Sequence, residues 1–278
     1  MNNVKITCIS ENTSSFLRSR FLASHGQSLL IEVDDKKYIF DVGPAYEGFT
    51  YNMDSLELKL TDISSIILSH NHLDHSGALF KLINEFTDQQ LLLPPDMQGI
   101  HDEEGYRLTF KPEDKEAAIQ KLLDYPHSTI ITDGKRLDEN LYTTGSLDSA
   151  DSQWPDKEQS LIIPVPGKGL VLLVGCSHPT VPVIVEQARK VTGIEKIYGI
   201  IGGLHYARLN EEELLKNVQY LASLSLEFIV PSHCTGYRAT VLMQELLGEA
   251  KVRCSSVGAQ FGSGNSVTIL PDLQFSIS

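Results

Sequence analysis

One stretch of nine residues, Ser69-His70-Asn71-His72-Leu73-Asp74-His75-Ser76-Gly77, constrains this chain more than any other feature. It follows a compact apolar run, Ser65 to Leu68, that reads as a strand buried on both faces. It precedes Leu79, Leu82, Ile83 and Phe86, whose spacing predicts a helix. In an extended segment residues two apart point the same way, so His70 and His72 can grip one ion together. As the chain turns into the helix, Asp74 and His75 are presented to an adjacent position. Imidazole and carboxylate are ligands that zinc, iron and manganese accept. Three histidines and an aspartate packed this closely behind a strand are therefore read as a metal cluster. The plainer alternative has Asp74 capping the helix and the histidines on the surface.

The surrounding pattern is that of a layered α/β protein. Val4 to Ile9, Ser28 to Val33 and Lys37 to Asp41 read as short strands separated by turn residues. Leu161 to Val165 and Leu170 to Val174 flank Gly167-Lys168-Gly169, a hairpin signal. Pro182 opens a helix that Gly193 closes. Ile197 to Ile201 and Phe228 to Val230 are strands, and a helix over Thr240 to Leu247 ends at Gly248. Between those strands Asn210 caps a further helix, with Glu213 completing a capping box. Strands come in runs at first and alternate with helices later, which predicts two sheets with helices outside, a four-layer αββα sandwich. From Thr87 to Lys157 the pattern loosens around a helix at Pro112 to Leu123 and polar loops near Trp154. The expectation is one domain over residues 1–278, with an insertion or extended loop region at 88–157 covering the active site.

Further ligands must come from other strand ends. Cys176-Ser177-His178, His205 and His233-Cys234 each close an apolar strand, and strand ends along one edge are where sites assemble in such proteins. His101 and His127 fall in the irregular stretch and read as surface residues; His25, before Gly26, either faces the cleft or is a loop residue. Asp41, at a strand end, is placed to hydrogen-bond a ligand histidine.

Strand, His-x-His-x-Asp-His, helix resembles the signature of the metallo-β-lactamase superfamily. The resemblance implies that His70 and His72 bind a first metal, that Asp74, His75 and His233 bind a second, and that a water or hydroxide between them is the nucleophile. Where that superfamily usually ends a strand in Gly-Asp, the Asp bridging both metals, this chain has Gly175-Cys176. Thr143-Thr144-Gly145-Ser146 stands where a third histidine is expected, so His178 is assigned as the replacement ligand. Cys176 is open between ligand and small buried residue. Gly175-Cys176-Ser177-His178, Gly202-Gly203-Leu204-His205 and His233-Cys234-Thr235-Gly236, with His25-Gly26 and Phe40-Asp41, resemble the branch that includes the dihydropterin–ribofuranosylaminobenzene phosphate synthases.

These readings imply a hydrolase or transferase acting on a phosphoester or pyrophosphate-bearing small molecule, through a metal-bound hydroxide or a metal-gripped leaving group. Asp74 would orient the nucleophile, and His205 would act as general acid or oxyanion stabiliser unless it is itself a ligand. Two divalent ions are expected, zinc foremost, with iron, manganese or nickel compatible with the same residues. The missing bridging Asp motivates a second reading, a metal- or ligand-binding sensor without turnover. A two-iron redox enzyme lacks a flavin-binding segment.

A net charge of −13 argues against nucleic acid or an anionic membrane as partner. The longest apolar run, Leu161 to Val174, is broken by Pro164, Pro166 and Lys168, whereas a spanning helix needs roughly 20 apolar residues. The four cysteines are scattered, and no secretory signal is visible at the N-terminus, so a cytoplasmic protein with reduced thiols is expected. Oligomeric state is left open.

Overall fold

The computed structural model of the chain describes residues 4–14, 20–97, 112–150 and 156–262. Strands β1 (Val4–Ser10), β2 (Ser28–Val33), β3 (Lys36–Phe40), β4 (Ser65–Ile67), β5 (Gln90–Leu93) and β6 (Ser128–Ile130) lie in that order in one sheet, and β15 (Gln260–Gly262) pairs outside β1. The second sheet runs β14 (Phe228–Ser232), β13 (Ile197–Gly203), β12 (Gly169–Val174), β11 (Leu161–Val165), β8 (Leu141–Gly145) and β7 (Asp133–Asp138). A separate two-stranded ribbon pairs β9 (Leu147–Asp148) with β10 (Lys157–Glu158).

Period-two alternation sorts the apolar residues of these strands into layers. Leu29, Ile31, Tyr38, Phe40 and Ile67 of the first sheet meet Leu161, Ile163, Leu173, Ile201 and Val230 of the second in one buried layer. Leu30, Ile39 and Ile66 point the other way. They pack under helices α1 (Tyr46–Ser55), α2 (Leu73–Ser76), α3 (Leu79–Leu82) and α4 (Pro112–Leu123), which contribute Phe49, Met53, Leu79 and Leu122. On the far side Ile162, Leu172, Ile200 and Ile229 pack under α5 (Val181–Thr192), α6 (Glu211–Ser223) and α7 (Tyr237–Leu247), through Ile184, Ala188, Val218 and Met243. Burying each such side chain contributes about 2 kcal/mol. Helix, sheet, sheet, helix is the four-layer αββα arrangement.

Local signals correspond to local structure. Leu161 pairs with Leu173 and Val165 with Gly169 across the hairpin. Gly193 closes α5 in the left-handed region at φ 71°, and Asn210 and Glu213 form a reciprocal capping box on α6. Two expectations are corrected. The helix read over Leu79 to Phe86 is shorter: α3 stops at Leu82, and α2 precedes it as a separate piece. The Ala78 N–H bonds Gly43 O instead of continuing the helical ladder, because Asp74 O is taken by the Gln27 N–H. Also, the described residues of 88–157 are not all loop: β5 and β6 extend the first sheet, β7 and β8 the second, and Leu91, Leu93, Leu122 and Leu141 are fully buried. Trp154 and His101 lie outside the described residues, as do 98–111, which precede α4. No helix of the described residues is long and apolar enough to cross a membrane.

Candidate metal centre

Strands β3, β4 and β5 run parallel, as do β12, β13 and β14, so their C-terminal ends open on shared edges. From these ends come Asp41, the His70–His75 motif, Cys176, His178, His205 and His233. The structure brings the four rings of His70, His72, His75 and His178 together: the His70 centroid lies 4.6 Å from His72, 4.2 Å from His75 and 4.8 Å from His178. His233 joins at 5.0 Å from His75. Asp74 does not cap α2; its Oδ2 lies 3.0 Å from His233 Nε2 and 4.0 Å from His75 Nε2. His205 sits at the exposed rim, its ring 4.8 Å from that of His178.

Buried hydrogen bonds fix which nitrogen each histidine turns inward. Asp41, fully buried, accepts from the Ser69 N–H (2.7 Å) and hydroxyl (2.8 Å) and from His75 Nδ1 (2.7 Å). With its proton given to Asp41, the Ser69 hydroxyl accepts from His70 Nδ1 at 2.8 Å. His70 Nε2 is thereby left as a lone pair, and it is buried without a hydrogen-bond partner. His233 Nδ1 bonds Asn12 Oδ1 (3.1 Å), and its backbone N–H donates to Glu11 Oε1 (2.6 Å). His72 Nε2 bonds the buried Asp156 Oδ2 at 2.9 Å. An orphaned buried nitrogen amid four further imidazoles, a carboxylate and a thiol fits divalent cations.

The loop carrying Cys176 and His178 is held by a buried carboxylate. Glu158 Oε1 accepts the N–H groups of Cys176 (2.9 Å) and Ser177 (2.8 Å), and Oε2 accepts that of His178 (3.0 Å). Oε2 also lies 2.9 Å from His178 Nδ1, although the two are poorly aligned for a hydrogen bond. Close approach elsewhere demands glycine: a Cβ on Gly175 would stand 2.4 Å from Ser69 Oγ, and one on Gly26, at φ +148°, 2.2 Å from Asp74 O. Asp41, Ser177, His205 and His233 all adopt positive φ without being glycine, a concentration of strained backbone at the ends of the site strands.

The electrostatics follow from burial and these partners. Burial, then the neighbouring histidines, holds His70 well below the ordinary imidazole range. Burial also opposes charge on His75, but Asp41 and Asp74 outweigh it and raise its pKa to about 9. For Glu158, burial is overcome by the His178 ring and the backbone N–H groups, which hold it at about 2. The hydrogen bond with Cys234 raises His205 against the effect of burial. His25, half exposed at the other flank with its ring 4.6 Å from that of His233, is lowered by burial and by His233.

The side-chain ligand atoms group into sets lying within 4.8 Å of one another: His70, Cys176 and His178; His75, Cys176 and His233; Cys176, His205 and Cys234; His25, Asp74 and His233. Sequence reasoning missed Glu11, Asn12, Asp156 and Glu158, which support the ligand candidates. They are scattered among ordinary polar residues, and Glu158 alone had a signal, a carboxylate standing before the apolar strand β11. His127 is exposed and packs only against Tyr125 at 5.6 Å among the ring contacts of the described residues.

Comparisons with known proteins agree with this geometry. The chain is 26% identical to 7,8-dihydropterin-6-methyl-4-(beta-D-ribofuranosyl)-aminobenzene-5'-phosphate synthase of Methanocaldococcus jannaschii, over 88% of this chain and 92% of that protein. Among solved structures it resembles Tm1679, a metal-dependent hydrolase of the beta-lactamase superfamily, with TM-score 0.69 and 21% identity, covering 93% of this chain and 98% of that one. It also resembles the metallo-beta-lactamase fold protein YhfI from Bacillus subtilis, with TM-score 0.61 and 14% identity over 95% and 100% of the two chains. The family model of the metallo-beta-lactamase superfamily matches residues 23–194. The chain belongs to the metallo-beta-lactamase superfamily.

Proposed function

We propose that this protein is a metal-dependent enzyme that transfers or hydrolyses a phosphoester or pyrophosphate-bearing small molecule. The observation that carries the reading is the convergence of His70, His72, Asp74, His75, His178 and His233 on one buried point, with His70 Nε2 unpartnered. In this reading His70, His72 and His178 hold one ion, and Asp74, His75 and His233 hold another. Such ions, when bound, bring the pKa of water down toward about 7 and neutralise phosphate charge.

The chain's own residues supply orientation and protons. Asp74, next to His233, orients the attacking group. His205 stands at the rim with a raised pKa, which favours the protonated form that can give a proton to a departing oxygen. His25 flanks the opposite side and stays neutral, so it accepts a hydrogen bond or proton there.

The similarity to the M. jannaschii protein favours a synthase-type substrate: a pterin carrying a pyrophosphate leaving group and a ribofuranosyl-aminobenzene phosphate whose arylamine attacks carbon. The test loads purified protein with zinc, iron, manganese or nickel and assays that substrate pair alongside phosphodiesters, pyrophosphates, lactones and β-lactams. Turnover of a phosphate-bearing substrate, abolished by chelator and restored by metal, is the expected result. Metal binding without turnover of any substrate in the panel would overturn it and favour a sensor. Turnover of lactones or β-lactams alone would overturn it in favour of a different hydrolase.

A further inference from the structure

We propose that Cys176 Sγ bridges the two ions of this centre as a thiolate, making it a thiophilic binuclear site. The inference rests on the two-ion reading above, but its own support is geometric. Among the described residues, Cys176 is the one group shared by the set containing His70 and His178 and the set containing His75 and His233. Its Sγ lies 3.2 Å from His75 Nε2. A tetrahedral ion with nitrogen at about 2.0 Å and sulfur at about 2.3 Å holds its ligand atoms about 3.5 Å apart, which these sets accommodate.

The surroundings separate this thiol from an ordinary buried cysteine. Cys8 is packed in the apolar layer between the sheets, the environment that a structural cysteine prefers. Cys176 is just as buried but belongs to none of the three apolar clusters. It faces imidazoles instead, and three of them are locked with Nδ1 in a hydrogen bond: His70 to Ser69, His75 to Asp41 and His233 to Asn12. Each therefore turns Nε2 toward the cluster, and that of His70 is buried without a partner. The Cys176 backbone is held by Glu158 and by the Gly203 N–H on Gly175 O (3.0 Å), so the thiol has a fixed position.

Cys234 does not meet these conditions. Its Sγ accepts the His205 N–H at 3.2 Å and belongs to a single set, with the rim residue His205. On loading, the Cys176 S–H bond breaks, its electron pair binds the metals, and the proton leaves to solvent, as coordination deprotonates a thiol outright. A thiolate at the shared position favours zinc, cobalt or ferrous iron over magnesium or calcium.

The experiment is cobalt substitution of the full-length protein, read by absorbance, with metal counted by elemental analysis. Wild type and Cys234→Ser should show a sulfur-to-cobalt charge-transfer band; Cys176→Ser should lose it, while histidine-ligated cobalt bands persist at reduced stoichiometry. Cys176→Asp should keep two ions without the band. X-ray absorption at the zinc edge of wild type, which needs no variant to fold, should show sulfur scattering at about 2.3 Å. A charge-transfer band retained in Cys176→Ser, or lost in Cys234→Ser instead, or absent from wild type along with zinc–sulfur scattering, overturns the inference. Chelator-sensitive turnover without any thiolate signature would sink the bridge alone, whereas failure to bind metal at all would sink both readings.

Discussion

Asp41 Oδ2 accepts a 2.7 Å hydrogen bond from His75 Nδ1, both groups fully buried, and that bond turns His75 Nε2 onto Cys176 Sγ. The same carboxylate holds Ser69, which in turn orients His70. Asp41 therefore positions two imidazoles. Asp41→Asn keeps the shape but loses the charge and one acceptor oxygen. Metal affinity should fall by about 10–100-fold, read by competition with a chromophoric chelator. Unchanged affinity would remove Asp41 from the positioning role.

His178 tests the replacement-ligand assignment. Its ring lies 4.8 Å from that of His70 and 4.9 Å from that of His72. His178→Ala should lower bound metal by about one ion per chain and abolish activity. Full metal content by elemental analysis would show that the first set closes without it.

His205 should behave differently, since it stands at the rim. His205→Ala is expected to reduce kcat by about 10²–10⁴-fold with metal content unchanged, and to remove the alkaline limb of the pH–rate profile. A loss of metal instead would make it a ligand of the set it shares with Cys176 and Cys234.

Glu158 links the site to acid stability. Its pKa is about 2 in the folded chain against an ordinary 4.5, so its contribution is complete above 4.5 and lost as pH falls from 4.5 toward 2. Metal-free protein should lose Tm steeply through that window, and Glu158→Gln should show a lower Tm at neutral pH with a flatter acid limb. Parallel Tm–pH curves for the two proteins would contradict this account.

Gly26 is a backbone prediction. At φ +148°, a Cβ there would meet Asp74 O at 2.2 Å. Gly26→Ala should displace the Asp74 backbone, lowering Tm and metal occupancy together. Wild-type values for both would show that the loop yields freely.

Much of this was legible because the signals were local. The cluster from His70 to His75, the Asn210–Glu213 cap and the hairpin at Gly167–Gly169 each need only a few neighbouring residues to be recognised. The break between α2 and α3 was hidden because it is made by distant backbone: Gln27 and Gly43 take the groups that would have continued the helix. Helix α1 went unread, since its one-sided burial of Phe49, Asn52 and Met53 is a weak apolar pattern. Strands β6 and β7 were obscured by their edge positions: β7 buries little, and β6 is exposed at its end. Glu158 and Asp156 are single carboxylates whose importance is created by folding.

Ile67, Leu173 and Val230 lie together in the apolar layer between the sheets, and each precedes a site residue by three positions: His70, Cys176 and His233. The thickness of that oily layer is therefore a gauge block for the chemistry above it. Trimming a methyl group there alters how far apart the two sheets hold their ligands. A substitution with no polar atom, made well below the site, is thus predicted to retune the spacing between cations, and with it the size of leaving group that fits across them.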